Sequence, residues 1–133
     1  MLDHVGLKTQ NLAALVRFYD AVLPPLGYLK IFVNDEGAAF GVGGLPELWI
    51  VQIETGAGGA NIAFRSEDRE SVDHFFDNAL AAGAISIGSP MLRSEFHDNH
   101  YAAFVVDPDG NNLSAVCHDN VAATENRPQA LAS

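Results

Sequence analysis

The sequence predicts an α+β domain built from two tandem βαβββ modules, curled into an open, cup-shaped mixed sheet with the helices outside. An internal repeat is the first observation behind this. His4-Val5-Gly6-Leu7-Lys8 recurs in type as Asn61-Ile62-Ala63-Phe64-Arg65, an offset of 61 − 4 = 57, and the same offset carries Phe18-Tyr19-Asp20 onto Phe75-Phe76-Asp77 and Leu23 onto Leu80. The second is the order of periodicities. Each copy opens with two-residue alternation, passes into a helical apolar stripe, and continues as short strands separated by turn clusters. The third is size: 133 residues, 48% of them hydrophobic, suit one domain with one core.

In copy one, Val5 and Leu7 point to one face of a strand near 2–8, and His4 and Gly6 to the other. Leu12, Leu15, Val16, Tyr19, Val22, Leu23 and Leu26 then recur at helical spacing. Thr9 or Asn11 suits the cap of that helix, Pro24-Pro25 breaks it, and Gly27 suits its exit. Three antiparallel strands follow at 28–33, 38–42 and 48–53, turning at Asn34-Asp35-Glu36-Gly37 and at Gly43-Gly44-Leu45-Pro46. Gly56-Ala57-Gly58-Gly59 separates the copies.

Copy two begins with a strand at 60–65. Ser66 is placed to cap the second helix, whose expected buried stripe is Val72, Phe75, Phe76, Ala79 and Leu80, ending at Gly83. Strands are expected near 85–88, 100–106 and 112–117. Asp107-Pro108-Asp109-Gly110 is a hairpin turn, because proline presets φ and glycine tolerates a positive one; it is too short for a calcium loop. The expected organisation is a single domain at 1–118, with module one at 1–55 and module two at 58–118, and a flexible tail at 119–133 that lacks periodicity.

Charge excludes several classes of function. Seven basic residues face 17 acidic ones, a net charge of −10. Nucleic acid and anionic membrane surfaces need clustered Lys and Arg, so neither is an expected partner, whereas a cationic ligand is electrostatically favoured. No apolar run approaches the roughly 18 residues of a membrane span. Met1-Leu2-Asp3-His4 does not read as a signal peptide, and a single cysteine, Cys117, fits a reducing compartment; the expected location is cytoplasmic.

Several side chains are candidates for a pocket. His4 should point into the cup. Trp49 and Tyr101 lie on strands able to line it, and aromatic walls suit a flat organic ligand, while Phe40 reads as core. His97 and His100 flank Asp98-Asn99; with His4 and His118 they permit a zinc site, and equally read as solvated loop histidines. Cys117 has the parity opposite to Ser114, so it packs as a small hydrophobe rather than pairing with His118 as a nucleophile.

The residues of the repeat also carry a family resemblance. Leu2-Asp3-His4-Val5-Gly6-Leu7, Phe18-Tyr19 and Leu26-Gly27-Tyr28 resemble the opening of the vicinal oxygen chelate superfamily, which includes glyoxalases, bleomycin-resistance proteins and extradiol dioxygenases. The run from Tyr101 to Leu113 resembles its last hairpin, and the match spans roughly 2–118. The resemblance implies a divalent cation held by His at position 4, His at 61 and Glu at 114. His4 is present, but position 61 is Asn and position 114 is Ser, and the strand at 48–53 offers Trp49 and Ile50, flanked by Glu47 and Gln52, in place of a first-copy ligand. One imidazole with two weak oxygens holds a transition metal poorly, and the lost carboxylate removes the usual proton-transfer base.

The expected protein is therefore glyoxalase/bleomycin-resistance-like, with a degenerate metal site and no cofactor. It binds a small organic ligand, aromatic or cationic, among His4, Trp49, Asn61, His97, Tyr101 and Ser114, and forms a homodimer. Two alternatives stand beside it. One is a metal-dependent lyase, isomerase or dioxygenase using unconventional ligands such as His4, Asn61 and His97. The other is a non-catalytic dimeric remnant.

Overall fold

Strand β1 (Val5–Thr9) leads into helix α1 (Leu12–Val22) in the computed structural model of the chain, which describes residues 2–94 and 99–118. Asn11 caps α1, its side chain accepting from the Ala14 amide, and Gln52 Oε1 accepts from the Leu12 amide. A short 3-10 turn, Pro24–Leu26, ends at Gly27 with φ +89°, a conformation glycine adopts without strain. Strands β2 (Leu29–Val33), β3 (Gly37–Val42) and β4 (Leu45–Gln52) complete the first module. The second follows as β5 (Asn61–Arg65), α2 (Arg69–Ala81), β6 (Ile85–Leu92), β7 (Tyr101–Val106) and β8 (Asn112–Cys117).

Hydrogen bonding divides the strands into two four-stranded mixed sheets of identical topology, β1-β4-β3-β2 and β5-β8-β7-β6. The register repeats as well. Val5, Gly6 and Leu7 pair with Leu48, Trp49 and Ile50, while Ile62, Ala63 and Phe64 pair with Leu113, Ser114 and Ala115. The 57-residue repeat is thus a repeat of hydrogen-bonded partners as well as of sequence.

Each helix covers one face of its own sheet, and α1 and α2 also pack on each other, so a single core runs through both modules. It contains Leu7, Leu15, Phe18, Ile50, Phe64 and Phe75. The helix-facing positions of the strands are apolar because alternation sends every second side chain there. Cys117 is among them, as its parity required.

Some local expectations are corrected. Strand β4 begins at Leu45, so Leu45 and Pro46 belong to the strand and only Gly43-Gly44 turn; a Cβ on Gly41 would lie 1.8 Å from the Leu45 carbonyl oxygen. Strand β6 is twice the expected length. The α2 cap is Asp68, which accepts from the Ser71 amide, while the Ser66 hydroxyl donates to the Asp68 carbonyl. Leu80, expected in the buried stripe, is 40% exposed at the rim of α2. The tail from 119 onward lies outside the described residues.

Candidate functional site

Because α1 covers one face of the first sheet, the opposite face is set by the other parity. Gly6 on β1, Trp49 on β4, Ala39 on β3 and Phe32 on β2 lie side by side across all four strands. The row alternates small and aromatic. The Trp49 and Phe32 rings meet edge to face above Ala39, with centroids 5.3 Å apart, and leave Ala39 fully buried. On the other side, beyond Gly6, the His4 imidazole lies edge to face with Trp49 at 6.4 Å. A Cβ on Gly6 would meet nothing within 4 Å, so the sheet is bare beside the indole.

The result is an open cleft of about 500 Å³, lined by Asp3, His4, Gly6, Pro46, Trp49 and Val51. A second, of about 240 Å³, lies across Trp49, where Phe32 and Glu36 contribute. His4 Nδ1 and Asp3 Oδ1 are 2.9 Å apart, at the exposed lip. The histidine is thus held by its neighbour in sequence, not by Asn61 and Ser114. A carboxylate on this nitrogen leaves Nε2 for a ligand.

The predicted residues divide into three groups. His4 and Trp49 are brought together. Asn61 and Ser114 occupy the equivalent face of the second sheet, where Ala63, Ser114, Phe104 and Gly88 form the corresponding row. There Ser114 is only 5% exposed, and the Arg93 guanidinium stacks 5.2 Å from the Phe104 centroid, over the space left by Gly88. Tyr101 turns the other way, because it pairs with Cys117 on the helix-facing side; its hydroxyl donates to Asp73 Oδ1 on α2 at 2.7 Å, and Arg69 stacks on its ring. Burial first, then the Asp73 contact, pushes the Tyr101 phenol up to about 12, against the pull of Arg69. Tyr101 therefore ties β7 to α2 and does not line the open face. His97 lies outside the described residues.

Phe32 and Gly6 were not singled out by the sequence. Gly6 shares the parity of His4 and was findable. The Phe32 parity is hidden by an irregularity between Lys30 and Phe32.

The same geometry tests the metal expectation. Trp49 is the register counterpart of Ser114, since Trp49 stands opposite Gly6 and Ser114 opposite Ala63, and the 57-residue offset carries Gly6 onto Ala63. The four positions related by the repeat thus carry imidazole, carboxamide, indole and hydroxyl. Glu47 lies at the bulge where Phe40 pairs with Leu48 and Gly41 with Pro46; it accepts from the Tyr28 hydroxyl at 2.8 Å. Gln52 is used at the start of α1. No group of three or more His, Cys, Asp or Glu side chains among the described residues is placed to hold a metal ion. This donor set does not fit a divalent cation.

Solved structures share the fold of this chain. A glyoxalase/bleomycin resistance protein from Albidiferax ferrireducens superposes with a TM-score of 0.78 at 26% identity, over 90% of this chain and 99% of that one. The chain has the vicinal oxygen chelate fold. Among other similar structures are a glyoxalase/bleomycin resistance protein/dioxygenase family enzyme from Burkholderia phytofirmans (TM-score 0.68, 20% identity, 88% and 98% coverage) and a glyoxalase-related enzyme from Fulvimarina pelagi (0.69, 18%, 88% and 87%). No protein-family model matches the sequence, and no curated protein matches it. Within the vicinal oxygen chelate fold, the departure of this chain is local. Both modules of the repeat are built, and the positions where the resemblance implies metal ligands at 61 and 114 carry Asn61 and Ser114. No helix among the described residues is long and apolar enough to cross a membrane.

Proposed function

We propose that this chain is a cytoplasmic, metal-independent binding protein for a small, flat organic cation, held against Trp49 between His4 and Phe32. The observation that supports this most is the bare strip at Gly6 beside the indole, inside a cleft of about 500 Å³, a volume within the usual range for small-molecule sites. Indole and imidazole offer ring faces and edges to a planar ligand. Asp3 at one end and Glu36 beyond Trp49 favour positive charge, as does the net charge of −10.

The open face walls only one side of such a ligand. We assign the other wall to a second copy of the chain. Phe32, Val51, Leu29, Val33, Val42 and Leu45 leave the first sheet with an exposed apolar border, more than a monomer usually tolerates in one region. The homodimer would therefore contribute to the site itself.

A thermal-shift screen in the presence of a chelator tests the reading. Planar aromatic cations should raise the melting temperature more than neutral or anionic isosteres, and Trp49→Ala should remove the difference. An equal response to all three charge types, or stabilisation only after metal is added, would contradict it.

A further inference from the structure

The two modules also meet at a smaller cavity that the Trp49 face does not explain. Where the start of β1 approaches β5, a cleft of about 170 Å³ is enclosed by Asp3, His4, Tyr28, Glu47, Ile62 and Phe64, with further aliphatic side chains around them. It is more enclosed than the cleft beside Trp49, and residues from both copies of the repeat build it. The Tyr28 and Phe64 rings meet edge to face across the module boundary at 5.4 Å. The Tyr28 hydroxyl donates to Glu47 Oε1 at 2.8 Å.

The informative group is Glu47. Its side chain is half-buried in a largely apolar wall, and among the described residues no Lys or Arg forms an ion pair with it. A neutral phenol stabilises one oxygen but does not balance the charge. Burying a carboxylate without a countercharge is costly, and the cost falls when a ligand brings one. Tyr28 remains a donor over a wide range, since its phenol is pushed up to about 12, first by burial and then by Glu47.

We propose that this cleft is a second binding site, for a small ammonium compound carrying one ring or a short alkyl chain. The ammonium would face Glu47, with Asp3 at the mouth. The apolar part would contact Ile62 and the Tyr28 and Phe64 rings, whose π-faces also favour a cation. The volume sets the size limit, because the cavity lies below the usual range for drug-sized ligands. The inference does not depend on what binds beside Trp49. The two clefts share only Asp3 and His4.

The test uses benzylammonium and its neutral counterpart benzyl alcohol as probes, followed by NMR at the Ile62 methyl groups, the Tyr28 ring and the Trp49 indole. Benzylammonium should shift Ile62 and Tyr28 saturably, with a concentration dependence of its own whether or not the Trp49 indole also responds. It should bind about ten-fold more tightly than the alcohol at low salt, with the preference shrinking as salt is added. Glu47→Gln keeps the acceptor for Tyr28 and should abolish the preference; the salt dependence of the wild-type protein carries the same information without a variant. Equal binding of the two probes, no saturable shift at Ile62, or shifts confined to the Trp49 indole would each overturn the proposal. The last result would locate the cation on the open face instead.

Discussion

The Tyr19 hydroxyl of α1 donates a 2.6 Å hydrogen bond to Asp107 Oδ2 in the β7–β8 turn, joining the two modules through buried groups 88 residues apart. Asp107 also accepts from the amides of Asp109 and Asn111 and from the Asn111 side chain. Asn111 in turn accepts from the Ala60 amide at the entry to β5. One carboxylate thus orders the hairpin, the second module's first strand and the first module's helix.

Removing the phenol should show this in stability. Tyr19→Phe leaves Asp107 with its turn partners and is expected to cost about 1.5–3 kcal/mol, the range for a hydrogen bond to a charged group. Asp107→Ala strands several buried donors and should cost more than about 3 kcal/mol. Urea unfolding followed by circular dichroism measures both. A Tyr19→Phe protein as stable as wild type would show that the contact does not join the modules energetically.

Alkaline pH should expose the same feature. The chain has three tyrosines. Burial, then Asp107, pushes the Tyr19 phenol far above its ordinary value, while Tyr28 and Tyr101 are pushed up to about 12. Free tyrosine ionises near 10, so the fold favours the neutral phenols. The contribution of Tyr28 and Tyr101 is complete below about pH 10 and is lost as pH rises through about 12, while that of Tyr19 goes on being lost above that range. An ultraviolet titration should therefore show little tyrosinate at pH 10, and Tyr19 should ionise only together with unfolding. A half-ionised spectrum near pH 10 with native circular dichroism would contradict this.

Two glycines should behave in opposite ways. A Cβ at Gly41 would lie 1.8 Å from the Leu45 carbonyl oxygen, and the backbone there is a bulge, so Gly41→Ala should cost more than about 2 kcal/mol. At Gly6 the space is open, and Gly6→Ala should change stability by less than about 0.5 kcal/mol while weakening any ligand that lies flat beside Trp49. Thermal unfolding and ligand titration of the two variants separate them. A ligand affinity unchanged by Gly6→Ala would move the ligand off this strip.

Much of the architecture was legible in the sequence because period and repeat are local signals. The offset between His4 and Asn61 and the parity of Val5 and Leu7 carried β1, β5 and their buried faces. The parity of Cys117 against Ser114 placed the cysteine in the core. The site was less legible. Tyr101 pairs with Cys117, so alternation along β8 sets it on the face opposite to Ser114, a relation that needs the strand register as well as the sequence. Phe32 and Glu47 sit at irregularities, and a single extra residue reverses which face later side chains occupy. Ser66 lost the helix cap to Asp68 because both have side chains able to cap, and only the backbone geometry at the helix start distinguishes them. The Tyr28–Glu47 contact runs from the residue before β2 to the bulged stretch of β4 and had no sequence signal.

The most direct test of metal-independent binding against Trp49 is the fluorescence of that residue, the only tryptophan in the chain. Untagged protein, stripped with a chelator, would be titrated with planar aromatic cations, then again after adding nickel, zinc, manganese or iron(II). The account predicts saturable quenching in the chelated protein, lost on Gly6→Ala and unchanged by added metal, with no stoichiometric metal retained on gel filtration. Quenching that appears only with metal, or a metal held one to one by the untagged chain, would contradict it.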